Sequence, residues 1–146
     1  IRLSSRSATF TAQATTGGLL AGWGLHHTLP RLLGPGRTLE FLWSGRTISA
    51  QEAWQIGLVD RLIEEDAWEE ELDRLTERLR HLPQPAVLLT KLAVQEAPGL
   101  DMTNMLAREW ESQQQCWSSR ETAEGLRAWR EGRDPMLEAA PESDDE

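Results

Sequence analysis

Tyrosine is absent from the 146 residues, cysteine occurs once, and no aspartate or glutamate stands before Glu40. Each scarcity excludes something. A single cysteine, Cys116, closes no internal disulfide framework and fits a reducing, cytoplasmic compartment. No apolar run approaches the roughly 20 residues that cross a bilayer, and no charged-then-apolar leader opens the chain, so a membrane partner is not expected. No histidine, cysteine or acidic set has metal-ligand spacing, and neither a P-loop nor a dinucleotide fingerprint is present. Lysine is represented by Lys91 alone against fourteen arginines, which reads as composition rather than chemistry. Methionine is missing at the first position, and from Ile1 the expectation is that a segment precedes the chain or has been removed.

What is present describes one ordinary domain. Apolar residues make up 39% and charged residues 27%, a soluble globular balance able to bury a core. The net charge of −9 is unevenly placed. Arg2, Arg6, Arg31 and Arg37 give residues 1–39 a charge of +4, leaving 24 acids against 11 bases beyond them. Nucleic-acid binding needs clustered basic residues, and this balance argues against it.

Alternation of Ala8, Phe10 and Ala12 against threonines predicts strand in the opening segment, interrupted by Gly17 and Gly18. A short helix is expected from Leu25 to Leu33, stopped by Gly34 and Pro35, and another around Arg37 to Trp43. Ser49 and Glu52 have the form of a capping box for a helix that ends by Gly57, with an extended segment from Leu58 to Ile63. From Asp66 onward the pattern is helical. Trp68, Leu72, Leu75 and Leu79 form one apolar stripe, and Met102, Leu106, Trp110 and Trp117 lie along another. Pro83 and Pro85 separate the first helix from one over Ala86 to Ala97, and a second capping box, Ser118 to Glu121, opens a helix closed by Gly132. The acidic end has little to bury and is expected to be disordered.

The order of these signals resembles the enoyl-CoA hydratase/isomerase (crotonase) superfamily. Gly18-Leu19-Leu20-Ala21-Gly22-Trp23-Gly24, followed by Leu29-Pro30-Arg31-Leu32, resembles that family's GLxPGxGGTQRLPRL segment. Ser49-Ala50-Gln51-Glu52-Ala53 with Gly57-Leu58-Val59-Asp60-Arg61 resembles SAEEAxxxGLVNRVV. Glu124-Gly125 with Ala128-Trp129-Arg130-Glu131-Gly132-Arg133 and Pro135 is similar to the EGxxAFxEKRxP ending. The resemblance covers roughly the C-terminal half of the family's fold. It implies an α/β, crotonase-like architecture: residues 1–63 as the truncated end of a spiral ββα core, residues 64–137 as a mainly helical trimerisation region, and residues 138–146 as an acidic tail.

The implied chemistry is hydration or double-bond isomerisation of an enoyl-CoA through a stabilised thioester enolate. Two backbone N–H donors hold the enolate, worth several kcal/mol because they are prearranged, and carboxylates move the protons. In that family both donors lie upstream of the segment matched here. The hydratase glutamate of FGxPE aligns with Ala14, and the isomerase aspartate of PDxGG aligns with Gly22, so neither acid is present. His26 and His27 are the remaining proton-transfer candidates, and equally read as polar residues on a helix surface. The resemblance implies that Gly22, Trp23 and Gly24 line the acyl pocket, with simple packing of the Trp23 ring as the competing reading. It also implies that Trp129 and Arg133 lie near the CoA adenine; without it, Trp129 reads as a core residue of an amphipathic helix. Cys116 reads as packing. Coenzyme A enters as part of the substrate, with no other cofactor indicated. The expected partners are an acyl-CoA thioester and either further copies in a trimer or hexamer or a complementary N-terminal half. The competing reading is a noncatalytic oligomerisation or partner-capping module, or the fragment of a decayed gene.

Overall fold

The computed structural model describes residues 1–137; the acidic end assigned above to 138–146 lies outside the described residues. The chain divides into two compact units, Ile1–Leu72 and Asp73–Glu146.

The first unit contains four short strands and three helices. β1 (Leu3–Ser5) pairs in parallel with β4 (Arg61–Ile63), Leu3 opposite Arg61 and Ser5 opposite Ile63. β2 (Thr9–Phe10) pairs antiparallel with β3 (Ile48–Ser49). A parallel pair needs a long crossover, and here it consists of everything from β2 to the third helix. Arg2 fastens the ends of that crossover. Its backbone N–H and its Nη2 donate to the Asp60 carboxylate at 2.6 and 2.8 Å, and Nε donates to the Leu58 carbonyl at 2.7 Å.

α1 (Leu25–Leu33) has the predicted limits, because Gly24 and Gly34 bracket it with positive φ. α2 (Pro35–Ser44) begins earlier than expected, since Pro35 fits a first helical turn that needs no N–H. Leu29 and Leu33 of α1 and Thr38, Phe41 and Leu42 of α2 follow helical spacing and are buried. With Ala21, Ile48, Ala53 and Val59 they enclose one core, against which Phe10, Ala12 and Ala14 pack. α3 (Ala50–Gln55) starts at Ser49, whose Oγ accepts from the Glu52 N–H at 3.2 Å. Only that half of the expected box forms. The Glu52 carboxylate pairs with Arg46 instead of reaching back, and this ion pair holds Glu52 below the usual carboxylate range. The extended segment expected from Leu58 is strand only from Arg61, because the Leu58 and Val59 N–H groups donate to the Ala53 carbonyl and finish α3.

α4 (Trp68–Arg80) carries the chain into the second unit, which holds α5 (Gln84–Glu96), α6 (Met102–Trp117) and α7 (Arg120–Glu131). α5 starts two residues before the expected Ala86. Pro85 occupies its first turn, and the Gln84 side-chain amide donates to the carbonyls of Leu79, Arg80 and Leu82, closing α4. The N-cap of α7 is Ser119 rather than Ser118, its Oγ accepting from the Thr122 N–H at 3.0 Å. Apolar burial is sparse in this unit. Among the described residues, Ala128 is its buried apolar side chain, while Met102, Leu106, Trp110 and Trp117 of the α6 stripe are all exposed. Trp110 and Trp117 meet edge to face with ring centroids 5.5 Å apart.

Candidate functional site

The candidate residues fall into a turn in the first unit and a helix ending in the second. In the first unit a 3₁₀ turn, Thr15–Gly17, follows Ala14 and closes on Gly18, whose φ is +78°. The Leu19 N–H returns to the Ala14 carbonyl at 2.9 Å. Ala14, the position of the hydratase acid, is a half-buried methyl packed on the core, with no ionisable function. The chain then anchors at buried Ala21 and turns at Gly22, where the isomerase acid would stand.

That turn is unusual. The Leu25 N–H donates to the Gly22 carbonyl at 3.2 Å, and both central residues have positive φ, +59° at Trp23 and +73° at Gly24. Two positive φ values between such partners mark a primed turn, in which glycine or asparagine is ordinarily found. Tryptophan there costs on the order of 1–3 kcal/mol of backbone strain. The side chain recovers nothing by packing, being fully exposed, and Leu19 and Leu20 are exposed beside it in sequence. The packing reading of Trp23 therefore fails within this chain: the ring stands free.

His26 and His27 occupy the first turn of α1, both exposed. The His27 carbonyl accepts from Arg31 Nη1 at 2.6 Å, and no ion pair involves either imidazole among the described residues. Glu40 is the first carboxylate along the chain, and its charge faces Arg46 at 3.9 Å.

In the second unit, Trp129 corrects the core reading. Ala128 takes the buried position of α7, and the next residue is rotated by about 100° on a helix, leaving Trp129 79% exposed. Gly132, at φ +66°, ends the helix where the family motif has lysine. Arg133 follows with its guanidinium committed: Nη1 donates to Glu124 Oε1 at 2.7 Å and to the Asp134 carbonyl at 3.0 Å, and Nε donates to Glu131 Oε2 at 2.6 Å. Glu124 also accepts from the Met136 N–H at 3.1 Å. Its hydrogen bond from Arg133, then that from Met136, lowers the Glu124 pKa below the usual range, and the two glutamates raise that of Arg133. Glu124 stands in the sequence as one residue of a motif, and its separation from Arg133 is not a helical contact spacing that would give it this role.

Lys91 is exposed on α5. Cys116 is a half-buried free thiol lining a cavity of about 580 Å³ among α5, α6 and α7. Among the described residues no group of three histidine, cysteine or acidic side chains is placed to hold a metal, and no helix is long and apolar enough to cross a membrane.

A family model described as enoyl-CoA hydratase/isomerase matches residues 1–140. The chain belongs to the enoyl-CoA hydratase/isomerase family. It is 32% identical over 130 residues to a short-chain-enoyl-CoA hydratase of Clostridioides difficile, covering 89% of this chain and 84% of that protein. It is 30% identical over 132 residues to a crotonyl-CoA hydratase of Syntrophomonas wolfei, covering 90% of this chain and 51% of that one. A solved enoyl-CoA hydratase of Bacillus anthracis superposes with a TM-score of 0.86 at 33% identity, over 94% of this chain and 53% of that one. The fold is thus the α/β crotonase-like one, and the chain spans about half the length of the latter two relatives. The turn at Trp23 and the ending at Arg133 are this enoyl-CoA hydratase/isomerase family member's versions of the motifs that carried the resemblance.

Proposed function

We propose that this chain contributes the C-terminal half of an acyl-CoA site that hydrates an enoyl-CoA or isomerises its double bond through a thioester enolate. The observation that carries the reading is the family match across residues 1–140, joined to a strained, fully exposed Trp23 at the turn that the resemblance assigns to the acyl pocket. Steric strain held without packing gain marks a position kept for contact with something else. Gly22 and Gly24 let backbone approach the acyl group closely, and Trp23 supplies an apolar wall. Trp129, and in the family pattern Arg133, stand at the adenine end. Coenzyme A comes and goes with the substrate.

The proton-transfer acid and the enolate donors come from outside these residues. Ala14 cannot exchange a proton, Gly22 has no side chain, and the exposed His26 and His27 enter no ion pair among the described residues. In this reading the complement is the N-terminal half of a crotonase-like fold. The exposed α6 stripe supplies the surface for assembly with that half or with further copies in a trimer or hexamer. The cytoplasm suits the unpaired Cys116.

The test is turnover of crotonyl-CoA, followed as loss of the enoyl-thioester absorbance. The purified chain alone is expected to give none. The chain co-expressed with the N-terminal half of the B. anthracis relative is expected to give turnover. Turnover by the chain alone would refute the division of chemistry, and a stable, inactive complex of the two halves would favour the noncatalytic module.

A further inference from the structure

The turn at Trp23 is fixed at both ends and free between them. Upstream, Ala21 is buried and belongs to the core of the first unit. Downstream, the Gly24 carbonyl accepts from the His27 and Thr28 N–H groups at 3.0 Å and from Thr28 Oγ1 at 3.1 Å, and Leu25 packs against the same core. Between these anchors little restrains the chain. A Cβ added at Gly22 or Gly24 would meet no atom within 4 Å. Helix α1 starts without a side-chain cap, and the Trp23 backbone N–H and C=O have no partner among the described residues. The turn is closed by the 3.2 Å bond from the Leu25 N–H to the Gly22 carbonyl.

Two effects of similar size oppose each other there. Holding tryptophan left-handed costs about as much as one exposed hydrogen bond contributes. The ring adds nothing to either side, because it packs on nothing. Opening the Leu25–Gly22 bond releases the strain at little net cost, and a second conformer with Trp23 at negative φ lies close in free energy. The core is undisturbed by the exchange, since Ala21 and the Gly24 carbonyl keep their places.

We infer that Gly22–Gly24 is a two-state flap. In the state seen here Trp23 is left-handed and its ring stands out from the turn; in the other the Leu25–Gly22 bond is open and the ring is carried elsewhere. The two states are a property of the backbone and do not depend on which ligand the ring meets. Where the flap leads rests on the acyl-CoA reading above: an acyl group that touches the ring in the left-handed state holds the turn there, because a ligand shifts such an equilibrium only by its differential affinity.

The test follows the Leu20, Ala21, Leu25 and His26 amide resonances of the full chain in wild type, Trp23→Gly, Trp23→Asn and Trp23→Val. Glycine and asparagine accept the left-handed region and a β-branched residue does not, so the series ranks the flap from closed to open. The substituted side chain is fully exposed, so the core is left intact. With fast interconversion, the shifts of the four proteins are expected to lie on one line, with Trp23→Gly and Trp23→Asn at one end, Trp23→Val at the other and wild type between. With slow interconversion, paired resonances are expected whose intensities follow the same order. Single resonances that scatter off any line, or a Trp23→Val chain coincident with Trp23→Gly, would overturn the flap. Hydrogen exchange at the Leu25 amide gives a second readout: Trp23→Val is expected to speed it several-fold over Trp23→Asn, and equal rates would overturn the flap. Crotonyl-CoA is expected to move the wild-type shifts along the line toward Trp23→Gly. A wild-type chain that binds no crotonyl-CoA refutes the acyl-CoA reading, while the ligand-free series still decides whether the two states exist.

Discussion

The two units are held together by different physics. In Ile1–Leu72, apolar side chains from three helices and two strands converge, and Leu42, Ile48 and Ala53 are almost wholly removed from water. In the second unit the α6 stripe is exposed, and the visible fastenings are polar: Arg108 bridges Glu96 at 2.8 Å and Ser112 at 3.2 Å, and Arg133 bridges Glu124 and Glu131. Exposed ion pairs contribute about 0–1 kcal/mol each, whereas a buried Leu or Phe contributes about 1.5–3 kcal/mol. The first unit therefore carries its own stability. The second holds its shape with less and leaves a broad apolar surface exposed.

Substitutions break that contrast most sharply at its extremes. Phe41→Ala removes a ring that is 6% exposed and is expected to cost about 4 kcal/mol in chemical denaturation. Leu106→Ala, at 57% exposure, is expected to stay within about 0.5 kcal/mol in the same assay. Equal losses would mean that the α6 face is covered in solution, and the contrast would fall. Gly45→Ala comes next. Its φ is +56°, and an added Cβ would meet Thr16 Cγ2 at 2.6 Å, so a loss of about 2 kcal/mol is expected from strain and contact together. Thr16→Gly in the same chain should recover the contact part, which would show that the turn before Trp23 leans on the end of α2. The smallest effect has the opposite sign. Trp23→Gly relieves a left-handed tryptophan that packs on nothing and is expected to raise stability by about 1 kcal/mol while weakening acyl-CoA binding. Lost stability would mean the ring is packed after all.

How far these features were legible depended on range. The limits of α1 were set by neighbours, Gly24 and Gly34, and could be read directly. The start of α5 is not legible locally, because Pro85 reads as a breaker although a first turn accepts it. The N-cap of α7 is Ser119 and not Ser118, a one-residue difference the sequence does not resolve because the two serines are chemically alike. The parallel pairing of β1 with β4 joins residues 58 apart, and no local pattern encodes it. At the candidate site, the missing acids at Ala14 and Gly22 were plain from alignment to the motifs. The condition of Trp23 and Trp129 was not, because periodicity identifies an apolar face without saying whether anything covers it. The Glu124–Arg133 pair was hidden for a related reason: charged residues look the same in sequence whether they pair or face water.

The central proposal is that the exposed Trp23 ring, at the turn of the first unit, meets an acyl-CoA ligand. The direct measurement is titration of the full chain with crotonyl-CoA while the indole N–H resonances of all seven tryptophans are followed, assigned by single Trp→Phe variants. The account predicts that the Trp23 resonance shifts saturably while Trp43 and Trp54 stay in place. A stationary Trp23 resonance at saturating ligand, or shifts confined to the α6 pair Trp110 and Trp117, would contradict it.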